Sequence, residues 1–139
     1  MLQTKPPRKQ GSLNLICWAL AAEPALLAVI AFVVKASGAA NVSLPAALEE
    51  KLLVAFLAVS TALAWLSFRL AAGAIPEGLK RSANPQGLRL AAIGLAVGPG
   101  VLGFVHYLFF GQPASLLLFN GGATVLAATH ILKFIEGNA

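Results

Sequence analysis

Four apolar stretches, each about the length needed to cross a bilayer, fill nearly all of this 139-residue chain. A hydrocarbon core of about 30 Å takes about 20 helical residues. The stretches run about 12–34, 52–73, 88–111 and 113–132. Lys9 and Lys35 bound the first, Glu49, Glu50 and Lys51 precede the second, and Lys133 closes the fourth. Each is too long for a buried strand, and together they leave no room for a separate soluble domain. The expected fold is an all-α integral membrane protein: one domain over 12–139, built as a bundle of four antiparallel transmembrane helices, with a basic tail over 1–11.

The composition agrees. Apolar residues make up 58% of the chain and charged residues 11%, against about 45–50% and about 25% in soluble domains. Five acids face ten bases, and every acid is Glu. A disordered chain, a charged coiled coil and most soluble enzymes are excluded. One cysteine rules out an internal disulfide.

The joints carry turn chemistry. Ala36 to Lys51 reads as a small loop ending in a short helix over SLPAALEEK, with Ser43 as cap and Pro45 in the first turn. Ala74 to Gly87 holds two prolines and two glycines and reads as a loop. Gly111-Gln112-Pro113 reads as a tight hairpin. Basic residues concentrate on the cytoplasmic side of spanning proteins. Lys5, Arg8, Lys9, Lys80, Arg81, Arg89 and Lys133 fall on one side, against Lys35 and Lys51 on the other, which places both termini in the cytoplasm. The start KPPRK followed by Ala19-Leu20-Ala21 also resembles a signal peptide. The apolar run resumes at Ala25 and continues to Val34, so an uncleaved first span is expected. The Ala-rich, loop-poor chain suggests a bacterial inner membrane.

Depth can be estimated from the span ends at 1.5 Å per residue. Glu23 then lies roughly 17 Å from the inner end of its span and Asn120 roughly 20 Å. Ser60 and Thr61 reach the same level, as does Pro99 within Gly98-Pro99-Gly100. A carboxyl in hydrocarbon marks a role or a partner. Pro24, directly after Glu23, and Pro99 each free a backbone carbonyl and are expected to kink their helices. One reading is a midplane proton or ion site made by Glu23, Ser60, Thr61 and Asn120 beside broken helices. The other is helix–helix hydrogen bonding with no further role.

Arg69 and His130 lie at similar depth near the inner ends of spans two and four, as a candidate polar cluster. Trp65, one turn before Arg69, offers a cation–π contact. His106, with Tyr107, Phe109 and Phe110, reads as an aromatic interfacial belt. The two histidines sit roughly 18 Å apart along the membrane normal, so they cannot share a haem, and no cofactor or metal is predicted. Gly87, Ala91, Gly94 and Gly98 form a small-residue stripe suited to close helix packing. Cys17 reads as core filler.

Three functions are compatible with these features. The first is a subunit or assembly partner of a membrane complex, or a homo-oligomeric bundle. The second is a small proton-coupled transporter or channel using Glu23. The third is a membrane-embedded enzyme, which lacks acid–base pairs and metal ligands in the sequence, so no enzyme is expected. The partners expected are the lipid bilayer and other membrane helices. No basic–aromatic surface for nucleic acid is present.

Overall fold

The computed structural model describes residues 8–39, 44–74 and 84–136. The described chain is all-helical. Its helices are α1 (Arg8–Ala36), α2 (Ala46–Ala71), α3 (Pro85–Phe110) and α4 (Pro113–Glu136). Each is long and apolar enough to cross a membrane.

Two joints differ from expectation. The SLPAALEEK segment is not a separate helix: α2 runs without interruption from Ala46 through Ala71. No glycine or proline separates Glu50 from the apolar run, and Lys51 is a good helix former, so nothing stops propagation. Pro45 sits at the N-cap position rather than inside the first turn; Ser43 lies outside the described residues. Likewise Pro85 and Gly87 belong to α3, not to the preceding loop. The Asn84 side chain accepts from the Gln86 backbone N–H at 3.1 Å, and Pro85 takes the first helical position, where a missing N–H costs nothing. Lys5, Lys80 and Arg81 lie outside the described residues.

The α3 helix is the centre of the bundle. It packs against α4, α1 and α2, while among the described residues no Cα of α1 comes within 8 Å of one in α2. The α3–α4 contact is the most extensive, as a two-residue connection demands. Gly111 adopts φ +70° there, and its N–H donates to the Tyr107 carbonyl at 2.7 Å, a left-handed helix end that glycine supplies without strain. Lys35, at the end of α1, donates from Nζ to the Leu108 carbonyl at 3.2 Å. A cation thus meets the partly negative C-terminus of α3.

One apolar cluster joins Cys17 and Ala21 of α1 to Ile93, Ala96 and Val97 of α3 and Ala127 and Ile131 of α4. A second joins Ala31, Tyr107 and Leu116. The buried positions of α1 and α4 recur at three- and four-residue steps, the period that keeps one helix face inward. By contrast, α2 buries only Ser67.

Candidate functional site

The midplane residues of the sequence do not form one cluster. Because α1 and α2 lie apart, Glu23 is separated from Ser60 and Thr61, and two half-sites result. Depth along the membrane normal says nothing about azimuth around α3, and azimuth is what divides them.

The first half-site lies between α1, α3 and α4. Pro24 and Pro99 are both buried, and both helices continue through them. A methyl group on Gly100 would stand 2.8 Å from Pro24 Cβ and 3.1 Å from Asn120 Oδ1, so the proline ring and the amide meet across a bare backbone. Asn120 is buried, with Nδ2 donating to the Leu116 carbonyl at 3.0 Å. Its Oδ1 has no hydrogen-bond donor. Glu23 is half-buried, next in sequence to Pro24.

The second half-site is a cleft of about 330 Å³ between α2 and α4, floored by Pro99. Ser60, Thr61 and Ala64 line one wall, and Phe119, Gly122 and Ala123 the other. Thr61 donates back to the Leu57 carbonyl at 2.8 Å. The Ser60 hydroxyl is buried and has no partner.

Arg69 and His130 do not pair. Arg69 is exposed, with its guanidinium 5.3 Å from the Trp65 ring centre. His130 is fully buried and bonds instead to Ser67, at 3.0 Å from Nε2 to Oγ. The Ser67 hydroxyl donates to the Ala64 carbonyl at 2.7 Å. With its one proton on that carbonyl, His130 Nε2–H is the donor to Ser67. His130 Nδ1 is left as a buried acceptor with no partner.

The same arrangement recurs at the other end of the bundle. His106 Nδ1 lies 2.8 Å from Ser115 Oγ, and Ser115 donates to the Gln112 carbonyl at 2.8 Å. With the Ser115 proton on that carbonyl, His106 donates from Nδ1; its Nε2 is buried and has no partner. His106 is not part of an interfacial belt: it is 1% exposed, with Phe56 and Phe110 rings around it. Tyr107 is buried as well, against Phe32. Both belong to the central helix, which has neighbours on several sides. The serines that bind the histidines were not singled out in the sequence. The only local signal was Ser115 three residues after Gln112, the spacing of a hydroxyl-to-carbonyl bond.

The close contacts of α3 are displaced from the expected stripe. Gly87, Ala91 and Gly94 are exposed, and a methyl on Gly94 would meet nothing within 4 Å. Gly98 faces Leu63 of α2. The tightest approaches are at Gly100 and Gly103; a methyl on Gly103 would lie 2.5 Å from Phe119 Cβ and 2.8 Å from Asn120 Nδ2. The 98–100–103 steps place glycine toward α2, α1 and α4 in turn, whereas the 87–91–94 face points away from all three.

No known family, curated protein or solved structure matches the chain. The functional reading therefore rests on these geometries.

Proposed function

We propose that this chain is a building block of a membrane assembly in a bacterial inner membrane. It is an antiparallel bundle with both termini cytoplasmic, joined to a further transmembrane helix through the cleft between α2 and α4. The alternating direction is supported by which ends meet: Lys35 with the end of α3, and Arg89 over Phe134, linking the start of α3 to the end of α4. Arg69, Arg89 and Lys133 engage aromatic rings at one end, in keeping with a cytoplasmic face.

The lining of the cleft carries the assembly reading. In lipid, helices associate through small residues that let backbones approach and through interhelical hydrogen bonds. Ser60, Ala64, Gly122 and Ala123 provide the first, and the Thr61 hydroxyl the second: it is exposed in the same wall, and with its proton on the Leu57 carbonyl its oxygen is left to accept. An acyl chain offers no donor to that oxygen; a polar side chain of a further helix does. A Cβ added at Gly122 meets nothing within 4 Å, and Gly122 lines the cleft, so Gly122→Leu is expected to fill the cleft and leave the bundle folded. Native mass measurement in mild detergent is expected to show an assembly for the wild type and single chains for Gly122→Leu, with equal resistance to unfolding. Identical mass distributions for the two proteins would refute the reading. The masses also separate a homo-oligomer from a complex with other subunits.

The first half-site supports a second reading, a proton-coupled pathway through Glu23. The orphaned Asn120 Oδ1 faces Pro24 across Gly100, one residue along α1 from Glu23. Ser60 and Thr61 drop out of this pathway because they lie on the far side of α3. Glu23→Gln preserves size and a donor but cannot titrate. Proton flux in vesicles carrying the purified protein is expected to vanish in this variant; equal flux in both proteins removes the reading.

A further inference from the structure

A second cavity, of about 360 Å³, opens at the end of the bundle where α2 begins and the α3–α4 turn lies. It lies further along the α2–α4 groove than the cleft proposed for assembly and shares Leu118 with it. Leu53, Leu118 and Ala114 form its apolar wall; Glu49, His106, Gln112 and Ser115 form its polar one. The volume is within the roughly 300–1,000 Å³ of small-molecule sites.

The polar wall is arranged to accept hydrogen bonds. Glu49 presents a carboxylate. The Ser115 proton is committed to the Gln112 carbonyl, so the serine receives the His106 Nδ1–H rather than donating to a guest. In that arrangement the imidazole carries its proton on Nδ1, and Nε2 is the lone-pair acceptor. The histidine is 1% exposed and Nε2 has no donor, which costs free energy until something supplies one. A carboxylate and a bare imidazole nitrogen together select a positively charged donor. No three of the described His, Cys, Asp and Glu residues come together to hold a metal ion. An ammonium group, with several N–H bonds to distribute, suits the set better, and the leucines suit an aliphatic stem.

We propose that this cavity binds a primary ammonium group carried on an apolar stem, either an aminolipid headgroup at the membrane surface or a free alkylamine. The charge enters beside Glu49, one N–H completes His106, and the stem lies along Leu53 and Leu118.

The test uses the full-length protein in phosphatidylcholine nanodiscs, with His106 followed by its ¹⁵N imidazole resonances. The probes are octylamine, octanol, and phosphatidylethanolamine added as a minor component. Octylamine or phosphatidylethanolamine is expected to shift the His106 Nε2 resonance saturably, with octanol inert. Glu49→Gln is expected to weaken binding at least tenfold. Glu49 lies in the first turn of α2 and belongs to neither apolar cluster, so this variant keeps the fold. A response to octylamine identifies free amines as ligands; a response to phosphatidylethanolamine alone identifies the lipid. Equal binding of octanol and octylamine, affinity unchanged in Glu49→Gln, or a resonance that no amine moves would overturn the proposal.

Discussion

Replacing Gly103 with alanine is expected to destabilise the bundle although alanine is the better helix former. The new methyl would stand 2.5 Å from Phe119 Cβ and 2.8 Å from Asn120 Nδ2. Phe119 Cβ is one bond from the backbone, so it yields only if α4 moves away from α3. Overpacking of this kind costs about 1–3 kcal/mol, which exceeds the gain of up to about 1 kcal/mol from replacing glycine in a helix. The displacement also strains the Asn120 Nδ2 bond to Leu116 and the apolar contacts below it. Gly94→Ala on the same helix is the control, because its methyl meets nothing within 4 Å. Unfolding by denaturing detergent should show Gly103→Ala losing stability and Gly94→Ala unchanged or slightly stabilised. Equal behaviour would mean that α3 and α4 do not meet at Gly103.

The second large effect is expected at Ser67. It is the one buried residue of α2, and its hydroxyl both donates to Ala64 and receives His130 Nε2–H. Ser67→Ala leaves the imidazole with two unpaired nitrogens, since Nδ1 already lacks a partner. An orphaned buried polar group costs about 1–3 kcal/mol. In membranes interhelical bonds average nearer about 0.6 kcal/mol, because the unfolded reference finds partners too. His130 is fully enclosed and flanked by Phe68 and Phe134, which offer no replacement acceptor, so a loss above that average is expected. The check is a double-mutant cycle. Ser67→Ala should be costly in the wild type and nearly neutral in a His130→Phe background. Additive effects would show that the pair is not coupled. The His130 Nε2 proton should also exchange faster with solvent in Ser67→Ala than in the wild type.

These two residues illustrate different degrees of legibility. The glycine-rich run around Pro99 was visible as a place of close packing, but the stripe chosen from it, Gly87 to Gly98, pointed mainly outward. All glycines in an apolar helix look alike until the neighbours are known, and α3 has five of them at different azimuths. Ser67 had no signal at all. A serine in a membrane helix can bond its own i−3 or i−4 carbonyl, as Thr61, Thr124 and Thr129 do. Only the histidine 63 positions later distinguishes it. Asn120 was legible as a midplane polar group; that its oxygen is orphaned beside Pro24 was not.

The sequence by itself determined the class, the four spans and their approximate ends, because the length and apolarity of a segment are local properties that the bilayer reads directly. It also supplied the basis for orientation, since basic residues are counted loop by loop. The tertiary structure decided which polar groups meet. Each helix has a free rotation about its axis and a free choice of neighbours, and neither follows from depth. Placing α3 at the centre, with α1 and α2 on separate sides, divided Glu23 from Ser60 and Thr61. It buried both histidines against serines, and it opened the two cavities on which the functional proposals rest.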